Sequence, residues 1–127
     1  MAEAAELDFL TQKIIGFAIE VHRQLGPGLF ESTYERCLCF ELERARVGYQ
    51  KEVPLPVVYK SMQLDCSYRL DIVVENRVIV ELKAVERLMP IHEAQILTYL
   101  KLSQIKTGLL MNFNSATLKD GLRRFVL

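Results

Sequence analysis

The stretch "LDIVVENRVIVELKA", residues 70–84, constrains this chain more than any other. Ile72, Val73 and Val74, then Val78, Ile79, Val80 and Leu82, are side chains that strands favour, and Glu75-Asn76-Arg77 between them reads as a turn. A hairpin this apolar belongs inside a fold. Yet it carries Asp71, Glu81 and Lys83. If residues 75–77 form a three-residue loop, with Asn76 or Arg77 near the left-handed region, the pairs are 74 with 78, 73 with 79, 72 with 80 and 71 with 81. Asp71 then faces Glu81, with Cβ atoms roughly 4.5–5.5 Å apart, where like charges destabilise. Alternation adds Lys83 to the Glu81 face and turns Leu82 away. A two-residue turn would shift the register and spoil the opposition.

Burying two facing carboxylates without a partner costs several kcal/mol or keeps one of them protonated. A divalent cation between them removes the conflict. Carboxylate oxygens are hard donors of the kind Mg²⁺ takes, one or two at a time with several waters retained. Lys83 beside such an ion would orient a water or stabilise charge on a phosphate oxygen. The plainer alternative is a solvated Glu-x-Lys strand, with Asp71 paired to Arg69 or Lys83.

The rest of the chain organises around this hairpin. Its 127 residues are the length of one domain, residues 1–127, and half of them are hydrophobic, enough for a core without disulfides. Leu10, Ile14, Phe17, Ala18, Val21 and Leu25 show helical spacing over 7–25. "GPG" at 26–28 ends that helix, and a second pattern runs from Leu29 to Arg46. From Gly48 the texture becomes strand-like, with strands expected near 49–59, 62–75 and 77–83. Pro54 and Pro56 suit an edge strand, and "KSMQ" reads as a turn. Pro90 opens a helix to about Leu102, which should be substantially buried. "KTGLLMNF" reads as a buried strand and "LKDGLRRFVL" as a last one. The order ααβββαβ describes an α/β sandwich with helices covering a mixed sheet.

Other segments offer polar groups to the same place. His92, Gln95 and Tyr99 form a stripe at i, i+3 and i+7 of the third helix, and polar groups on a buried helix need partners. Glu31 opens the second helix, where the dipole favours an acid; its functional role would be a third carboxylate on the metal. His22, one turn before the end of the first helix, reads as a structural or supporting imidazole.

Sixteen basic and sixteen acidic residues leave no net charge, which excludes a chain that is basic throughout. Any phosphate-binding surface must be local. The clusters Arg44-Arg46, Lys101 with Lys106, and Arg123-Arg124 read as solvated faces. Cys37, Cys39 and Cys66 lack metal-ligand spacing and are expected as small core residues. With a start, "MAEAAELDFL", that lacks a secretory layout and no apolar run near about 18 residues, they set the expectation of a soluble cytoplasmic protein with no membrane contact.

"GLFESTY" fits the signature Gly-x-x-Glu-x-x-Tyr, as Gly28, Glu31 and Tyr34. With "VHRQLGPG" before it and "VIVELKAVERLMPIHEAQILTYLK" after it, the chain resembles the small bacterial GxxExxY family, from about Ile14 to Val126. That family is placed in the PD-(D/E)xK nuclease superfamily. The resemblance implies a restriction-endonuclease-like αβββαβ core, here with an extra N-terminal helix. It carries the acidic metal ligand to Asp71 and the (D/E)xK element to Glu81-Leu82-Lys83. It also implies a further acid at Glu31 and site contributions from Gln95 and Tyr99, with His22 and Tyr34 as candidates for supporting roles. Leu70 departs from the Pro that often precedes the Asp.

The activity so implied is Mg²⁺- or Mn²⁺-dependent hydrolysis of nucleic acid, DNA or RNA, by a water aligned by Lys83. The neutral surface keeps two alternatives open: a nuclease fold used only for binding or assembly, and a hydrolase of a small phosphate-containing substrate. Limited basic surface also leads us to expect a homodimer or a protein partner.

Overall fold

A computed structural model of the protein describes residues 2–64 and 68–127; Cys66 lies outside them. Helix α1 spans Ala2–Leu25 and buries Leu10, Ile14, Ala18 and Val21 of the expected stripe, while Phe17 is half-buried and Leu25 is exposed where the helix ends. It begins earlier than the apolar periodicity because "AEAAE" holds good helix formers, exposed and touched by Arg77 at the Glu3 carbonyl and the Glu6 carboxylate. Gly26 ends it at φ 69°, donating its N–H to the His22 carbonyl at 2.7 Å. Gly28, at φ 103°, completes a loop that side-chain-bearing residues rarely tolerate. Helix α2 is Glu31–Arg44, shorter than expected at its start because Phe30 is extended, with φ −73° and ψ 150°.

The main sheet has five strands in the order β1-β4-β5-β6-β7: β1 Tyr49–Pro54, β4 Arg69–Val74, β5 Val78–Lys83, β6 Thr107–Asn112 and β7 Leu122–Val126. Only β5 and β6 run parallel, joined across α3, Pro90–Ser103. Two expected strands, 49–59 and 62–75, are each broken. Pro54 and Pro56 stop β1, and the chain makes a separate hairpin, β2 Val57–Tyr59 with β3 Met62–Leu64, before returning as β4. The turn read at "KSMQ" is its tip, with Lys60 and Ser61 both at positive φ.

Alternation in the central hairpin divides the core. Ile72, Val74, Val78, Val80 and Leu82 pack with α1 and α2 residues such as Ile14, Tyr34 and Leu38. Val73 and Ile79 pack on the other side with Tyr99 and Leu100 of α3. Gly108 lets α3 come close; a Cβ there would stand 3.0 Å from Ile96 Cδ1. Helix α3 is less buried than expected. Ile96, Tyr99 and Leu100 face the sheet, whereas Ile91 is 70% exposed. The result is a mixed sheet flanked by helices, with α1 as the extra N-terminal element, consistent with a restriction-endonuclease-like fold.

Candidate active site

The β4–β5 register is the one the sequence suggested: Ile72↔Val80, Val73↔Ile79 and Val74↔Val78. The left-handed residues of the loop are Glu75 and Asn76, not Arg77, and the Arg77 N–H closes a turn on the Val74 carbonyl at 2.9 Å. Beyond Ile72↔Val80 the backbone ladder stops, and side chains finish it. Glu81 Oε2 accepts the Asp71 N–H at 2.8 Å, and Asp71 Oδ2 accepts the Leu82 N–H at 2.9 Å. Each carboxylate thus holds the other's strand.

The opposite edge of β4 breaks at the same residue. Pairing with β1 runs Lys51↔Ile72 and Val53↔Leu70 and skips Glu52 and Asp71. Glu52 sits at φ 52°, a conformation that non-glycine residues seldom adopt and that clusters near functional sites. Its carboxylate pairs with Arg69 at 2.7 Å, so Arg69 is engaged there and not with Asp71.

Electrostatics follow from burial. Glu81 is 3% exposed, and desolvation, reinforced by the Asp71 charge, pushes its carboxyl up to about 8. The Asp71 N–H and the Lys83 ammonium oppose that shift, and Glu31 adds to it. Asp71 is raised as well, by burial first, against the Leu82 N–H and Lys83. One side chain missed in the sequence joins them. Glu35 is raised by desolvation and then by the charge of Asp71, and its Oε1 is buried without a partner among the described residues. It lies one helical turn after Glu31 on α2. That i, i+4 spacing was the available signal.

On the α3 side, Lys83 Nζ donates to Gln95 Oε1 at 3.3 Å. Tyr99 is buried, and its phenol is raised by desolvation, then by the charges of Glu81 and Asp71. Asp71, Glu81, Lys83, Gln95 and Tyr99 therefore converge. His92 does not join them; its Nδ1 accepts the Met89 N–H at 2.9 Å and starts the helix. Glu31 is exposed at the first position of α2, near enough for Glu81 to feel its charge.

His22 and Tyr34 serve the fold. His22 Nε2 lies 2.9 Å from the Ser115 carbonyl, to which it must donate. Tyr34 is fully buried and stacks on Phe113 at 4.6 Å. Its hydroxyl donates to the Gly26 carbonyl at 2.6 Å and accepts the Leu29 N–H at 3.1 Å. That latch shapes the loop that delivers Glu31. Asn112 does similar service after Lys83, clamping Val85 through Oδ1 at 3.0 Å and Nδ2 at 2.9 Å.

Residues 8–125 match the family model of the PD-(D/E)XK nuclease superfamily, and the chain belongs to that superfamily. Comparison with curated proteins and with solved structures gave no match. Nucleases of this superfamily generally use divalent metals, and the donor set here fits one. Asp71 and Glu81 offer hard oxygens whose burial a cation would relieve, and Glu35, whose Oε1 is a buried acceptor without a partner among the described residues, feels the charge of Asp71. Among the described residues no three His, Cys, Asp or Glu side chains stand as a ready cage. No helix among the described residues is long and apolar enough to cross a membrane.

Proposed function

We propose that the protein is a divalent-metal-dependent nuclease of the GxxExxY type. What carries this reading is the carboxylate pair Asp71 and Glu81, facing each other in a buried hairpin, with Lys83 on the same face. Asp71 and Glu81 would hold Mg²⁺ or Mn²⁺, with Glu31 and Glu35 available from the first turns of α2. When bound, the cation supplies Lewis-acid stabilisation of phosphate charge and lowers the pKa of water.

The chain's own groups do the rest. Lys83, steadied by Gln95, directs its ammonium at charge developing on the non-bridging phosphate oxygens and helps align the attacking water. The water oxygen bonds phosphorus and gives up a proton to solvent, the ester P–O bond breaks, and the departing oxygen takes a proton from solvent. Tyr99 keeps its phenolic proton, since burial and two nearby carboxylates raise it, and so presents a donor rather than another anion. Arg124 pairs with Asp8 at 2.9 Å and Arg123 donates to the Asp120 carbonyl at 3.1 Å, exposed contacts that leave both guanidinium charges at the surface. A homodimer or protein partner would add surface for nucleic acid, and light scattering distinguishes these from a monomer. Free Cys37 and Cys39 suit a reducing cytoplasm, which cell fractionation checks.

The test joins metal binding to cleavage. Calorimetric titration should show Mg²⁺ or Mn²⁺ binding that Asp71→Ala abolishes, with or without an oligonucleotide present. Lys83→Ala should keep metal binding and lose about 10²–10³-fold in turnover on a panel of single- and double-stranded DNA and RNA. A wild type that binds neither ion even with oligonucleotide, or a Lys83→Ala protein that cleaves at the wild-type rate, overturns the reading.

A further inference from the structure

Along α3, at Gln95 and Tyr99, runs a groove of about 370 Å³, within the roughly 300–1,000 Å³ of small-ligand pockets. Val57 and Tyr68, from the excursion between β1 and β4, form one wall; Ile91, Gln95, Thr98 and Tyr99 of α3 form the other. None of the side chains lining it is charged. Tyr68 is 50% exposed and Ile91 70% exposed, so flat apolar surface is open to a ligand from both sides. The Leu55 N–H bonds the Tyr68 carbonyl at 2.9 Å, which fixes that wall to the end of β1.

Two residues make the groove continuous with the candidate active site. Gln95 lines it and accepts the Lys83 ammonium through Oε1; among the described residues Nε2 makes no hydrogen bond and has two N–H donors to offer. Tyr99 lines it too, and feels the charges of Glu81 and Asp71. Whatever enters the groove lies next to the place where a phosphate would be held.

From this geometry we infer that the groove is a nucleobase subsite, and that the substrate is a single-stranded nucleic acid whose base stacks on Tyr68 while the adjoining phosphate meets Lys83 and the carboxylates. The inference rests on the nuclease reading and specifies its substrate class. An uncharged, partly aromatic slot suits the π-face of a base and repels no phosphate next door. In a duplex the bases are stacked and paired inside, out of its reach. A chain with no net charge also lacks the general phosphate attraction on which duplex binding depends. Stacking supplies affinity by another route, about 1–3 kcal/mol per base on an aromatic side chain.

Binding is measured by fluorescence anisotropy in Mg²⁺, with the wild-type protein and short fluorescein-labelled strands linked by phosphorothioates to resist cleavage. The expected result is a base-bearing single strand held at least about fivefold tighter than an abasic strand of equal length, and tighter than its duplex. Tyr68→Ala should erase most of that preference. Ile91→Ala, equally remote from the core, should weaken it in the same direction. Equal binding of abasic and base-bearing strands, an unchanged preference in Tyr68→Ala, duplex binding as tight as single-strand binding, or no binding of any strand overturns the inference. A base-blind protein that still cleaves with divalent metal leaves the nuclease reading intact, and a groove serving a protein partner gives that same base-blind result. Base-dependent binding with no cleavage of any substrate keeps the subsite and sinks the nuclease reading.

Discussion

Two hairpins in this molecule are closed by the same unfavourable device and put to opposite uses. Both turn on two consecutive non-glycine residues at positive φ: Lys60 and Ser61 at 47° and 72°, Glu75 and Asn76 at 52° and 55°. The β2–β3 hairpin joins Tyr59 directly to Met62 and leaves most of its side chains exposed. The β4–β5 hairpin holds one more residue, Arg77, in its loop, and β5 is buried almost throughout. That extra residue sets which side chains meet. Were Arg77 paired in the strand rather than held in the loop, Asp71 would fall opposite Val80 and Glu81 would lose its counterpart. Backbone strain of about 1–2 kcal/mol per left-handed residue persists in the central hairpin because packing on both faces offsets it. The same packing desolvates the carboxylates. Burial therefore stabilises the fold and, at Asp71 and Glu81, works against it.

The largest way to break the comparison is through pH. A carboxyl whose folded pKa is raised above its unfolded value binds its proton more tightly when folded. Its ionisation then costs stability, which falls as pH rises from the unfolded pKa through the folded one. For Glu81 that window runs from 4.5 to about 8, and Asp71 shifts in the same direction. In chelator, the unfolding free energy should fall as pH rises across this window, by an amount on the order of a few kcal/mol. Glu81→Gln should flatten most of the slope, and Mg²⁺ should flatten it in the wild type by favouring the ionised pair. Urea titrations at stepped pH measure this. A pH-independent wild type in chelator would mean that the pair is not buried as described. The exposed hairpin should contribute nothing to the slope.

Packing gives the next largest difference. Ile79 is fully buried against Val73, Tyr99 and Leu100. Ile79→Ala should cost about 2–5 kcal/mol in urea unfolding, for lost transfer and a residual cavity. Val58, 59% exposed on the outer hairpin, should tolerate Ala within about 0.5 kcal/mol. Similar costs at the two positions would remove the distinction between the hairpins.

What could be read from residues alone follows the strength of the local pattern. The central hairpin was legible in register because alternation and a short loop leave few solutions, and the meeting of Asp71 with Glu81 came with it. The β2–β3 hairpin was not, because Pro54 and Pro56 announce a break without saying whether the chain resumes in the same sheet. Which of Glu75, Asn76 and Arg77 turn left-handed depends on how the loop meets the start of β1, where the carbonyl of Gly48, just before the strand, accepts the Glu75 N–H at 2.9 Å. Glu35 was hidden for a different reason. On an amphipathic helix an acid one turn from another reads as solvated surface, and only the placement of α2 against the sheet brings it to Asp71. Tyr34 shows the converse: a motif residue can lie close to a site in sequence and still spend its hydroxyl on Gly26 and Leu29.

A small gain in stability sharpens the comparison most. Ser61→Gly removes the Cβ from a left-handed position at φ 72° without touching a buried group. Relief of strain, less the extra entropy glycine carries in the unfolded chain, should favour the closed hairpin by about 0.5–1 kcal/mol. If the outer hairpin opens on its own, as two-stranded ribbons with little burial do, the gain stays local. Amide exchange at β2 and β3 should then slow by about two- to fivefold while the global Tm hardly moves. Asn76→Gly, the matching change in the central hairpin, should raise global stability instead, because β4 and β5 cannot open without the core. A rise in Tm for Ser61→Gly as large as for Asn76→Gly would show that both hairpins belong to one cooperative unit, and that the wall bearing Val57 is as firmly held as the carboxylates beside it.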